Sequence, residues 1–261
     1  MSTSPDHQRA PATAARHEKQ ATVAGPVWMR QTPPKPERLT LEAILRTAIA
    51  LADTEGLDAV SVRRIAAALH ARPMSLYTFV SSKDDLVELM VDEVMGELLL
   101  DHIPDDWQEA LRAIARHTRA VGASHPWLIT AISQRPPIGP NALRHMDQSL
   151  AAIASLGPDT ARATSLLLAV DMLTIGYAAL ALAELQMRHR QGLTDSEWRA
   201  STESYFARLV GSESHPHLAS LGSPAVLRRG DDDEAFEDAL SWLFNGFAAT
   251  LDSARRPDPQ Q

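Results

Sequence analysis

The stretch SVRRIAAALHARPMSLYTFVSSKDDL, residues 61–86, decides how this chain is read. Ser61 places a hydroxyl just before Val62, Ile65, Ala66 and Leu69, a spacing that predicts a short capped helix with one inward stripe. Pro73 suits the first turn of the next helix, where its missing N–H removes no bond. That helix is predicted from about Arg72 to Phe79. Ser82 opens a longer one whose Leu86, Leu89, Met90, Val94 and Leu98 face inward. Two short helices joined by a tight turn fit a helix-turn-helix, in which the second helix enters the major groove with its N-terminal residues against base edges.

Upstream, Leu41, Ile44, Leu45, Ala48, Leu51 and Ala52 recur at helical spacing. Thr40 is positioned to cap that helix and Gly56 to end it, so it spans roughly 40 to 55. Downstream, Asp105 or Asp106 caps a helix bearing Leu111, Ile114 and Val121, and HPWLITAIS reads as a short connecting helix. RPPIGP (135–140) breaks the chain because proline removes donors and fixes φ. A helix from about Asn141 to Leu156 ends at Gly157-Pro158. The longest helix follows, from about 159 to 190. Its LLLAVDMLTIGYAALALAEL is apolar on nearly all sides, which requires either a central core position or contact with another chain. Beyond a polar stretch, Phe236, Leu240, Leu243, Phe244, Phe247 and Leu251 make one stripe on a last helix, with Trp242 off it. Trp242 is open to two readings, a contact for a partner helix or a partly exposed ring covered by a loop.

The fold expected is all-α: an N-terminal three-helix helix-turn-helix domain plus a larger helical bundle. Residues 1–38, rich in Ala, Pro, Ser, Thr and Gln, read as a disordered arm. Residues 39–85 are assigned to the helix-turn-helix, 86–254 to the bundle and 255–261 to a disordered tail.

The 261 residues carry no cysteine, which removes disulfides, thiolate nucleophiles and sulfur-ligated zinc. No uninterrupted run of about eighteen apolar residues is read, so no membrane span is expected. The N-terminus lacks a secretory pattern, and the cytoplasm is the expected location. A net charge of -8 argues against coating nucleic acid over the whole surface, but a local basic patch remains compatible with it. Before Leu39 there are six Lys or Arg against three Asp or Glu, whereas residues 231–234 form an acidic block. Arg30, Lys35 and Arg38 either add sequence-independent phosphate contacts or belong to a solvated tail.

The polar positions of the opening stretch agree with a groove-bound helix. Arg63 and Arg64 lie in the first turn of its first helix, Arg72, Pro73, Met74 and Ser75 at the start of the second, and Tyr77 and Thr78 near its end. Arginine offers bidentate contact to guanine, hydroxyls suit phosphates, and Met74 can supply apolar contact to thymine. Lys83 and the N–H groups at its helix start can hold one phosphate.

Taken jointly, LTLEAILRTAIALADTEGLDAVSVRRIAAAL and SLYTFVSSKDDLVELMVDEV resemble the TetR family of transcriptional repressors. The similarity covers roughly residues 40 to 95. Further on, the chain length, the Arg135-Pro136 break, the long apolar helix and the final aromatic helix resemble the tetracycline-repressor subgroup. That resemblance implies a homodimer joined by the long and last helices, reading a palindromic double-stranded DNA operator about 34 Å between half-site centres. It also implies a small-molecule effector that releases the dimer from DNA. Arg63, Ser75, Tyr77 and Lys83 match the family's DNA contacts, Thr40 matches a phosphate-contacting helix start, and Ser61 caps the first helix of the motif. His70 stands where many members carry glycine, and Pro73 and Met74 occupy base-reading positions. Ala131 stands where tetracycline repressors place a magnesium-binding histidine, so a tetracycline–magnesium ligand is not expected, and no metal or cofactor is assigned. The effector chamber is expected to be walled by Thr118, Trp127, Arg135, Met146, Asp147, Met172 and Tyr177, although core packing and surface ion pairing are alternative readings of these residues.

Two readings of other classes stand beside this one. A helical enzyme can be drawn around a buried Asp171 acting as a base, but no convergent set of titratable groups accompanies it, and a non-enzymatic protein is expected. An interaction module with a non-functional helix-turn-helix is the other. The pair His215 and His217 sits in a Ser-, Gly- and Pro-rich loop without a nearby carboxylate triad, which does not make a metal site.

Overall fold

The computed structural model describes residues 39–157, 160–210, 215–220 and 233–255, and these contain helices and no strand. The arm with Arg30, Lys35 and Arg38, the residues of the acidic block before Asp233 and the tail from 256 lie outside them. The first four helices are α1 (Leu41–Glu55), α2 (Val62–Ala68), α3 (Pro73–Leu76) and α4 (Lys83–Glu97). The others are α5 (Trp107–Ser124), α6 (Pro126–Gln134), α7 (Pro140–Ala152), α8 (Thr160–Gln191), α9 (Asp195–Val210), α10 (Pro216–Ser220) and α11 (Asp233–Arg255).

The caps read from the sequence are in place. Thr40 Oγ1 accepts from the Ala43 N–H at 3.1 Å, Ser61 Oγ from Arg64 N–H at 3.3 Å, and Ser82 Oγ from Asp85 N–H at 3.0 Å. Gly56 ends α1 at φ 84°, ψ 168°, a conformation that side chains with a Cβ avoid. The third helix is shorter than expected: α3 is one turn, and Tyr77 to Phe79 continue as turns with Phe79 N–H bonded to the Leu76 carbonyl. Four residues cannot sustain a helix alone. Pro73 at its start and the fully buried Leu76 hold it in place.

A first core joins Ile44, Ala48, Ile65, Leu76, Leu86, Met90 and Val94, and it continues without a break into Trp127, Leu128 and Ala131 of α6 and Ala142 of α7. Helix α4 is thus shared between the helix-turn-helix and the bundle. Asp92 of α4 caps α7 by accepting from the N–H groups of Asn141 and Ala142. A Cβ at Gly139 would collide with that carboxylate. A second core forms from Leu111, Ile114, Ile153, Leu166, Val170, Phe236, Leu240 and Phe244. Arg112 and Arg116 of α5 both bond Glu237 of α11, at 2.9 and 2.5 Å, and Arg112 also lies over the Phe244 ring.

Three expectations are revised. The polar stretch after α8 contains a sixteen-residue helix, α9. Its start is a capping box: Thr194 Oγ1 accepts from the Glu197 N–H, and Glu197 Oε2 accepts from the Thr194 N–H at 2.8 Å. The helix after the RPPIGP break stops at Ala152, and Ala154–Leu156 form a separate 3-10 turn before Gly157 at φ 109°. Finally, Thr164–Gln191 of α8 is long and apolar enough to cross a membrane by length and composition, contrary to the reading that no such run exists. Here Leu166, Leu167, Val170, Thr174 and Ala178 turn into the protein.

Candidate nucleic-acid interface

The helix-turn-helix presents a polar surface on an apolar base. Arg63, Arg64, Arg72, Pro73, Met74, Ser75, Tyr77, Thr78 and Lys83 are all exposed, as is Thr40, while Ser61 is half-buried. Met74 is 75% exposed and its neighbour Leu76 is fully buried, so the single turn of α3 points one residue into the core and the others outward. The turn before α3 explains the histidine found where a glycine is usual. His70 adopts φ 50°, the Ala71 N–H bonds the Ala66 carbonyl at 2.8 Å, and the His70 N–H bonds the Ala67 carbonyl. This is a Schellman ending with its left-handed residue supplied by His70, which carries the strain of a Cβ there.

The two arginines of α2 are not equivalent. Arg64 makes a two-point ion pair with Glu55 of α1, at 2.9 and 2.5 Å. That hydrogen-bonded pair lowers the Glu55 pKa and raises that of Arg64. Arg64 therefore fixes α2 on α1, and Arg63 is the arginine turned to solvent without such a tie. Lys83 donates to the Leu57 carbonyl at 3.2 Å, which holds its ammonium beside the start of α4 and leaves two of its three protons for another acceptor. Thr78 donates to the Ser75 carbonyl at 2.7 Å.

The residues expected to wall an effector chamber are dispersed. Trp127 is buried, and its indole N–H donates to Asp53 Oδ1 at 2.7 Å, which ties α6 to α1. Arg135 ends α6 and pairs with Glu88 of α4. Both line an open groove of about 1290 Å³ between the end of α1, the start of α4, α6, the 135–140 segment and the end of α8. Thr118, Met146, Asp147, Met172 and Tyr177 lie away from that groove. Thr118 is half-buried on α5, while Met146 and Asp147 on α7 and Met172 on α8 are exposed. Tyr177 donates to the Ala235 carbonyl at 3.0 Å with its ring edge on Phe236, so it secures α11. Asp171 is exposed rather than buried, although the protein packed about it pushes its carboxyl up to about 6.

Sequence reasoning missed the contacts between α1, α4 and α6. His125, Asp53 and Glu97 meet there, and nothing in local spacing marks them. It also missed Glu55, whose exposed position on α1 gave no hint of its partner nine residues on.

Comparison with known proteins gives a consistent result. Residues 44–90 match the family model described as bacterial regulatory proteins, tetR family, and residues 99–251 match the tetracyclin repressor-like C-terminal domain. The chain is 34% identical to the HTH-type transcriptional repressor DrrR1 of Streptomyces coeruleorubidus, over 85% of this chain and 82% of that protein. It is 33% identical to an HTH-type transcriptional regulator of Saccharopolyspora erythraea, over 87% of this chain and 92% of the relative. Among solved structures, apo ActR of Streptomyces coelicolor superposes with a TM-score of 0.68 at 27% identity, covering 85% of this chain and all of ActR. ActR in complex with actinorhodin gives 0.67 at 28% identity, over 82% and 99%.

Proposed function

Since the chain belongs to the tetR family of bacterial regulatory proteins, we propose that this transcriptional regulator is a repressor that binds a palindromic operator as a homodimer and leaves it when a small hydrophobic molecule binds. In this reading residues 39–85 contact DNA, 86–254 bind the effector and a second copy, and the protein works in the cytoplasm. The observation that carries it is the α3 turn, which holds Met74, Ser75, Tyr77 and Thr78 outward on a buried Leu76. With Arg63, Arg72 and Pro73 these present base-reading chemistry, while Thr40, Ser61 and Lys83 mark helix starts suited to phosphate. Arg64 supports the surface by holding α2.

The dimer is supported by what α8 and α11 leave uncovered. Leu168, Met172 and Leu180 on α8 are each more than half exposed and Trp242 on α11 is 72% exposed. A Cβ at Gly176 or Gly246 would meet nothing within 4 Å, so both helices offer bare backbone for close approach. Apolar surface of this kind marks a protein–protein contact. The effector is supported by ActR, a relative whose structure holds actinorhodin. Release follows if the effector prefers an arrangement with the wrong spacing between recognition helices.

The test is selection of genomic DNA fragments by the purified full-length protein at a stated salt concentration, repeated without residues 1–38. An enriched palindrome bound by two copies is expected. Weak, salt-sensitive binding without enrichment would instead favour an interaction module with a non-functional helix-turn-helix.

A further inference from the structure

His125 sits between α5 and α6, is 8% exposed, and has a carboxylate at each ring nitrogen. Its Nδ1 lies 2.8 Å from Asp53 Oδ1 of α1, and its Nε2 lies 3.2 Å from Glu97 Oε2 of α4. Carboxylates only accept, so both bonds exist together only when both ring nitrogens carry protons. A neutral imidazole has one N–H, and its other nitrogen would face a carboxylate lone pair to lone pair. We propose that His125 is a proton-gated clasp between the helix-turn-helix and the bundle: doubly protonated it bonds α1 and α4 at once, and on losing a proton it holds only one of them.

The surroundings fit this role. The charged groups acting on the ring are Asp53 from α1 and Glu97 from α4. From α6 the facing group is the uncharged Trp127 indole, edge-on at 6.3 Å, whose N–H shares Asp53 Oδ1 with His125. From α5, His117 meets the Glu97 backbone carbonyl at 2.7 Å and not its carboxylate. The Trp127 bond keeps Asp53 on α6 whatever the charge of the ring, so deprotonation loosens the joint without dismantling it. Burial alone would lower the His125 pKa, but the bonds to Asp53 and Glu97 outweigh it and leave it raised. For a raised histidine the added stability is complete below the ordinary value of about 6.5 and is lost as pH climbs through the folded-state value. The clasp is therefore closed below about pH 6.5 and opens as pH rises through the folded-state value. The inference concerns one chain alone and does not depend on DNA binding.

The test compares the full-length protein with Glu97→Gln, a change at a half-exposed side chain that keeps size and a hydrogen-bonding partner for either form of the ring. The histidine NMR resonance missing from His125→Gln is followed against pH. Amide exchange of Asp53 to Glu55, corrected for intrinsic rates, is measured between pH 6 and 8. The wild-type ring is expected to titrate above 6.5, and protection to fall by about tenfold for each unit of that elevation. In Glu97→Gln the midpoint should drop and the loss of protection with pH should flatten. A wild-type midpoint at or below 6.5, or an equal slope in the two proteins, would overturn the clasp.

Discussion

The helix-turn-helix and the long helix α8 finish their surfaces in opposite ways. In the first, the short helices bury Ile65, Ala66 and Leu76 and turn Arg63, Arg64 and Ser75 outward, with Met74 exposed beside them. Along α8, Leu166, Val170 and Thr174 are buried, while Leu168, Met172 and Leu180 remain open. The first surface is complete in water and suited to phosphate and base edges. The second is complete only against more apolar surface. The chain thus separates a part that closes over its own apolar residues from a helix that leaves large apolar side chains open.

The largest effect expected from breaking this contrast lies on α11, where Phe244 is buried and Trp242 is open two residues away. Phe244→Ala should cost about 3 to 5 kcal/mol in denaturant unfolding, from lost transfer energy and the cavity left. Trp242→Ala should change the stability of one chain by no more than about 0.5 kcal/mol but shift sedimentation toward monomer at low concentration. Equal behaviour of the two would remove the distinction between core and interface.

A smaller effect separates the two arginines of α2. Arg63→Ala should weaken operator binding and lower the slope of log affinity against log salt by about 0.9, the value for one phosphate contact. Arg64→Ala should leave that slope unchanged, because its guanidinium is held by Glu55. An equal drop in both would place Arg64 on the DNA as well. The smallest effect concerns His70. Glycine relieves the left-handed cost of about 1 to 2 kcal/mol and adds about 0.5 to 1 kcal/mol of chain entropy to the unfolded state. His70→Gly should therefore raise stability by about 0.5 to 1 kcal/mol, read as a higher denaturation midpoint, while His70→Ala should not.

What was legible in the sequence was local. Thr40, Ser61 and Ser82 cap helices through bonds spanning three residues, and Pro73 and Gly56 act at their own positions. Such features are written in adjacent residues, so the motif and its family could be read from them. The capping box at Thr194 and Glu197 is equally local, but the helix it begins is polar on most sides and carries no clean apolar stripe to mark it in the sequence. The residues expected to wall an effector chamber depend instead on packing between helices: Tyr177 bonds α11, Trp127 bonds α1, and Met146 and Met172 are exposed.

By itself, then, the sequence determined most of the helices, the caps of the first ones, the helix-turn-helix and the family, because each rests on hydrogen bonds and periodicity within a few residues. Only the tertiary structure decided that Arg64 belongs to Glu55, and that His125 stands between Asp53 and Glu97, 72 and 28 residues away along the chain. Those pairings arise when separate helices bury a common core, and the charges they bring together are fixed by that packing and by nothing in their neighbours.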